Sequence, residues 1–297
     1  MSTASHTTNP AIGAVIVTWH PAPGTLEPLL QALNGQVEQV VIVDNSEPAC
    51  RLPPAPDGLN LVIEADSRNH GVAAALNRGL KRLRANGCQR ALMLDQDSLP
   101  PANMVAILNQ TLDEGQDREP KTLAVGPSIR ERGAQQAAPF VRFRLPLNRH
   151  LRPGTGSVDC DFLITSGCLV DLALAGQVGP MREEWFIDSI DLEWSFRARR
   201  LGFSLLGSAD VELEHSIGER RPLPLGLGHF RYHPPARLYT MMRNRIWLYR
   251  SQAPFAWIVQ DLFRLLAKLA LFSLIRPRRA HIGAMLRGIR DGVAKKP

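Results

Sequence analysis

Cysteine is scarce in this chain: four in 297 residues, at Cys50, Cys88, Cys160 and Cys168. No two stand as a CxxC pair, which argues against the common zinc and dithiol motifs. So low a count suits a reducing compartment. The opening MSTASHTTNP has no charged segment followed by an apolar run, so no secretory signal is read there, and a cytoplasmic location is expected. Residues 1–10 are expected to be disordered. No internal repeat is found. No long apolar run is free of charge: the stretch from Trp257 to Ile275 is interrupted by Gln260, Asp261, Arg264 and Lys268, which argues against a bilayer-spanning helix. Acidic residues are scarce in one region only. From Arg220 onward, 16 Lys/Arg face 2 Asp/Glu, whereas residues 1–219 hold 19 Lys/Arg and 26 Asp/Glu. The formal net charge of +7 is therefore the balance of a mildly acidic body and a strongly basic C-terminal segment. Such a segment attracts a polyanion, whether an anionic bilayer, a nucleic acid or an acidic partner.

What is present is a chain 44% hydrophobic, ample for a packed core. Continuous apolar, β-branched runs at Ala11 to Thr18, Gln39 to Asp44, Leu59 to Glu64 and Ala91 to Leu94 predict buried strands. Helical spacing at Leu26 to Leu33 and Gly71 to Ala85 alternates with them. This pace predicts an α/β domain with a mostly parallel sheet, whose ligands bind at the carboxyl ends of the strands. Glu47 to Asp57 reads as a proline-rich surface loop, and Gly133 to Val158 as a long loop. Beyond Arg221, Tyr239 to Arg250 reads as a helix. A second follows with apolar residues at Ile258, Leu262, Leu265, Leu269 and Phe272. This spacing, flanked by basic residues, predicts an amphipathic helix lying on a membrane surface. The division expected is an α/β domain over 11–225 and a basic helical membrane-association segment over 226–297. The tail's aromatics mix with aliphatic runs rather than alternating with exposed basic residues, so lipid is expected there and nucleic acid is not.

Several acids and small residues stand where strands end. Asp95-Gln96-Asp97 closes the fourth strand, and hard carboxylate oxygens there suit Mg²⁺ or Mn²⁺ with the phosphates it carries. Asp44 closes the second strand, placed either to accept from a ribose or base or to form an Asx turn with Asn45 and Ser46. In NHGVAAALNRGL, Gly71 permits close backbone approach and a helix N-terminus would favour a diphosphate. Downstream, Asp188, Asp191 and Glu193 form an acidic cluster near a helix start. The spacing of Asp188 and Asp191 predicts a shared helix face. His215 follows an apolar strand, and Arg243-Asn244-Arg245 lies on a predicted helix.

In this order, from about Ala11 to His215, these residues resemble the family 2 glycosyltransferases of GT-A fold, and the DQDS form resembles the rhamnosyltransferases among them. The resemblance implies a Rossmann-like nucleotide-diphospho-sugar transferase domain with a C-terminal helical extension. Thr18, Trp19, Asp44, Asn69, Gly71, Ala74, Asp95, Gln96 and Asp97 would hold the nucleotide sugar, and Arg243 would approach its diphosphate. Asp97 and His215 would hold the metal. The general base would be Asp191 or its close competitor Asp188. Where the family commonly has a glutamate beside the aspartate, this chain has Ile190, with Asp188 two residues earlier. The resemblance further implies single-displacement inversion, dTDP-L-rhamnose as donor, and a lipid-linked or saccharide acceptor at the inner membrane surface. Self-association is compatible with the sequence. A non-catalytic nucleotide-binding protein would not need Asp191, and a glycoside hydrolase would have no use for the nucleotide-side motifs.

Overall fold

The computed structural model describes residues 10–215, 220–222, 229–251 and 253–295. The expected disordered stretch, apart from Pro10, and the expected domain boundary at 225/226 lie outside these residues. An eight-stranded sheet forms the centre, in the order β3-β2-β1-β4-β9-β5-β10-β8. These strands are β1 (Ile12–Thr18), β2 (Gln39–Asp44), β3 (Leu61–Ala65), β4 (Arg90–Asp95), β5 (Thr122–Glu131), β8 (Ser157–Asp159), β9 (Cys168–Asp171) and β10 (Ser204–His215). β1 to β4 are parallel to one another, as are β5 and β10. β9 runs antiparallel between the two blocks, and β8 closes the edge antiparallel. The sheet is therefore mixed rather than simply parallel.

β1 is buried along all seven residues because both faces are covered. Val15 and Val17 face one core with Leu76 and Leu83 of helix α2 (Gly71–Ala85). Ile12, Ala14 and Ile16 face the other, with α1 (Leu26–Leu33) and α3 (Met104–Arg118). α2 sits close on the sheet at Gly79, where an added Cβ would lie 2.3 Å from a methyl of Val15. The segment 133–158 corrects the expectation of a plain loop. It holds a small hairpin of β6 (Phe140–Arg142) and β7 (Arg149–Leu151), and the start of β8. These strands are three residues long, too short for an alternating pattern to stand out in sequence.

After α4 (Leu172–Val178), α5 (Ile190–Arg200) and the β11/β12 pair (Arg220–Pro222, His229–Arg231) come three helices: α6 (Pro235–Tyr249), α7 (Phe255–Leu274) and α8 (Arg278–Ala294). They are built into the body. Trp247 of α6 packs against Trp185 with ring centroids 5.9 Å apart, and Trp257 of α7 against Phe196 at 5.7 Å. Among the described residues no helix is long and apolar enough to cross a membrane. The expected membrane face of α7 is corrected. Leu265 and Phe272 are buried with Leu238, Met242 and Met285, and Leu269 packs on the same cluster. Ile258 packs on the main core. Only Leu262 of the expected row is exposed. α7 is apolar on more than one face, and helical spacing alone does not say which face meets the core.

Candidate active site

The strand ends and the start of α2 wall a cleft of about 600 Å³ lined by Thr18, Trp19, Asn45, Asn69, Gly71, Asp95, Gln96, Asp97, Phe186, Arg237 and Thr240, among others. Trp19 is 58% exposed in this cleft. Its backbone N–H donates to Gln96 Oε1 at 2.7 Å, which ties the end of β1 to the DQD turn. Asp44 is fully buried and does not line the cleft. Its carboxylate accepts from Thr18 Oγ1, from the N–H and hydroxyl of Ser46, and from the N–H of Cys50. With those donors the Asx-turn reading holds for Asp44. Asn45 reaches the cleft instead, and its buried Oδ1 has no hydrogen-bond partner among the described residues.

At the start of α2, Asn69 Oδ1 accepts from the Gly71 N–H at 2.9 Å, and Asn45 Nδ2 donates to the Gly71 carbonyl. Gly71 has φ +83°, and a Cβ there would lie 2.5 Å from the Phe186 carbonyl oxygen. That carbonyl accepts from Val72 N–H at 2.7 Å. The helix start is thus partly covered by the 186 segment rather than fully open to a diphosphate. Ala74 is buried and takes no part in the cleft lining.

The floor of the cleft carries the DQD pair. One ligand atom from each of Asp95, Asp97 and His215 lies within 4.8 Å of the others. His215 ends β10 and brings Nε2 to 3.8 Å from Asp95 Oδ2, while its buried Nδ1 has no hydrogen-bond partner among the described residues. Burial raises the Asp95 carboxyl above the usual carboxylate range. His215 opposes this, and Asp97 adds to it. Two hard carboxylates and an imidazole fit Mg²⁺ or Mn²⁺. The sequence pointed to Asp97 and His215 as ligands; the structure places Asp95 beside them as a further candidate.

A second cavity, of about 240 Å³, adjoins the first and shares Val72, Asp95, Ile187 and Arg237 with it. Asp188 and Asp191 both line it, but they do not share a helix face. α5 begins at Ile190, and Asp188 precedes it at φ +67°, in the left-handed region. Ser189 and Phe186 are also left-handed, at +62° each. Conformations of this kind cost about 1–3 kcal/mol each and persist only where the surroundings hold them. Here α6 does so. Asn244 Nδ2 lies within 2.9 Å of the carbonyls of Trp185, Ile187 and Asp188. Arg243 donates to the carbonyls of Glu184 and Trp185 and stacks on Trp247, 4.3 Å from the ring centroid. Arg243 does not line either cavity. Its expected place near a diphosphate is corrected to a clamp on the acidic loop. The cation that does line both cavities is Arg237, which sequence reasoning missed because nothing in HPPAR distinguishes it from the other arginines of the basic segment.

Asp191 is pushed up to about 6, chiefly by burial, with Asp188 and then Asp95 adding to it and the Leu192 N–H opposing. A carboxylate held there is half-poised between acid and base near neutral pH. Glu193 is nearly fully buried between Arg182 and Arg197, each at about 3 Å, and serves the fold.

No family model matches the chain. Among solved structures it superimposes on GalNAc-T7 with UDP, GalNAc and Mn²⁺ at a TM-score of 0.59, over 97% of this chain and 57% of that one, at 11% identity. It also superimposes on Staphylococcus aureus TarS 1–349 in complex with UDP-GlcNAc at 0.54, over 94% of this chain and 81% of that one, at 14% identity. The chain has the GT-A glycosyltransferase fold. Against a longer TarS structure the GT-A match covers 90% of this chain but 44% of that one, at a TM-score of 0.53. The chain thus spans about half the length of GalNAc-T7 and of that TarS chain. In sequence it is 28% identical to dTDP-rhamnosyl transferase RfbF of Shigella flexneri over 291 residues, 95% of this chain and 96% of that protein.

Proposed function

We propose that the protein is an inverting glycosyltransferase that moves L-rhamnose from dTDP-L-rhamnose to a lipid-linked or saccharide acceptor. The observation that carries this reading is the meeting of two adjoining cavities at Asp95, one lined by Asp95 and Asp97, which cluster with His215, and the other lined by Asp191. That arrangement suits a single displacement. Asp191 takes the proton of an acceptor hydroxyl as its oxygen bonds to the anomeric carbon. The bond from that carbon to the diphosphate oxygen breaks on the opposite face, so configuration inverts. No carboxylate nucleophile is needed, in contrast to retaining glycosidases. A divalent cation held by Asp95, Asp97 and His215 would neutralise the charge on the departing diphosphate. The rhamnose assignment rests on the likeness to the Shigella dTDP-rhamnosyl transferase.

The test is nucleoside diphosphate release from a panel of nucleotide sugars with Mn²⁺ or Mg²⁺ and a membrane lipid extract as acceptor. Release with dTDP-rhamnose supports the assignment. Release with another donor keeps the mechanism and discards rhamnose. No release from any donor, with no metal-dependent nucleotide binding, overturns the reading.

The acceptor side of the reading places the protein on the cytoplasmic face of a membrane through α7. Phe255, Leu262, Phe263, Leu266 and Leu274 form an exposed row along it. Leu145 and Leu147 extend the patch, on a loop held to α7 by Gln260 through the carbonyls of Arg144 and Pro146. Arg264, Arg276, Arg278 and Arg279 are exposed nearby in sequence. An apolar row beside arginines complements an anionic bilayer. Wild-type protein should co-sediment with vesicles containing phosphatidylglycerol, less so at high salt, and should leave RNA unbound. Phe263→Glu with Leu266→Glu should cut vesicle binding at least about tenfold. If wild type ignores vesicles and the double substitution instead converts a dimer to monomer, the row is a contact between copies.

A further inference from the structure

Among the described residues, Arg237 is the sole cation lining either cavity, against the carboxylates Asp95, Asp97, Asp188 and Asp191. It stands in the first turn of α6, just after the rigid pair Pro234-Pro235. Its guanidinium grips Asp188 through two nitrogens: Nη2 lies 2.9 Å from Oδ1, and Nε lies 3.3 and 3.2 Å from the two oxygens. The Arg237 side chain is 42% exposed while that of Asp188 is 14% exposed. The acid is fixed in a held loop, whereas the arginine can swing at little cost in desolvation. The same fork that fits a carboxylate fits a diphosphate.

We propose that Arg237 is an exchangeable cation: it neutralises Asp188 while the cleft is empty, and the diphosphate of an incoming nucleotide sugar takes it over, leaving Asp188 free to hold the acceptor hydroxyl beside Asp191. The proposal rests on the transferase reading and deepens it. The charge balance supports it. A cleft with four carboxylates repels a nucleoside diphosphate unless cations face it. The candidate metal cluster provides for one, and among the described residues Arg237 is the only other that the lining offers. The exchange also orders the reaction. Until the donor binds, Asp188 is occupied and the acceptor side is incomplete, which disfavours acceptor binding ahead of the donor.

The experiment is calorimetric binding of dTDP and UDP, with Mn²⁺, to wild type, Arg237→Ala, Asp188→Asn and the double variant, with thymidine as a probe lacking phosphate. Losing a charge-assisted bidentate contact should weaken the preferred diphosphate about 10- to 100-fold in Arg237→Ala and leave thymidine unchanged. Asp188→Asn removes the competitor and should tighten diphosphate binding about two- to fivefold. That gain should vanish in the Arg237→Ala background. A gain of equal size in both backgrounds would mean a simple field effect of removing a negative charge, and would overturn the exchange. So would Asp188→Asn binding unchanged or weaker than wild type, an arm that stands even if Arg237→Ala fails to fold. Wild type binding neither diphosphate would sink the transferase reading itself, and the exchange with it.

Discussion

Asp191→Asn should lower the rate of sugar transfer about 10²- to 10⁴-fold, the range that a positioned general base supplies, while nucleoside diphosphate affinity stays within about twofold. It should also make the protein more stable at neutral pH. Asp191 is raised to about 6 in the folded state, chiefly by burial, above its value in an unfolded chain. The folded protein therefore binds this proton more tightly than the unfolded one does. Ionising the group costs stability, and the cost sets in as pH climbs from about 4 to about 6 and persists above that. The neutral amide escapes it. With a pKa raised by roughly two units, relief on the order of 2 kcal/mol at pH 7.5 is expected, or a Tm higher by roughly 4 °C. The same pKa sets the pH dependence of wild type: kcat/KM should fall tenfold per pH unit below about 6, because the base must be ionised to accept a proton. Two readings decide the matter, a pH–rate profile and a thermal melt of the variant. A variant that keeps more than about a tenth of wild-type rate would move the base to Asp188. A variant that loses activity and stability together would mean that Asp191 serves the fold.

Removing the divalent cation should have the other large effect. Chelation, Asp97→Asn or His215→Ala should each reduce transfer about 10²-fold or more, since charge on the departing diphosphate would go unneutralised. A binding readout separates this from damage to the fold. With a nucleoside diphosphate present, added Mn²⁺ should raise the Tm of wild type by mass action and should not raise that of the variants. His215 is the sharper probe. Among the described residues its buried Nδ1 has no partner and its Nε2 faces Asp95, so alanine removes a candidate ligand without unpairing another buried group there. Activity undiminished in excess chelator, with His215→Ala active, would rule out the metal and leave Arg237 as the cation on which the leaving group depends.

Much of the frame is legible in the sequence. β2 and α2 fall at the residues their patterns predict, because an unbroken β-branched run and a one-sided apolar helix each report a period set by the local backbone. The carboxyl ends of β1 and β4 carry Thr18 and Asp95 into the site for the same reason, since a strand's last residue is where its side chains leave the sheet. The short strands of the 133–158 segment escaped notice because three residues do not make a period.

The sequence by itself determined that this is an α/β chain with acids and small residues at strand ends, and that a basic helical segment follows it. Tertiary structure decided which of those residues meet. Asp95 and His215 are 120 positions apart in sequence and become neighbours only because β10 lies in the same sheet as β4 and runs on to its last residue beside Asp95. The left-handed turn at Asp188 depends on carbonyls held by Asn244, 56 residues away. Arg243 and Arg237 lie six residues apart on one helix, a little under two turns, and the packing of α6 sends one to clamp the loop and the other into the cleft. α7 carries apolar residues on more than one face, and only its neighbours decide which row is core and which is left exposed. Local periodicity is a property of the backbone, whereas contact between distant residues follows from how the elements pack.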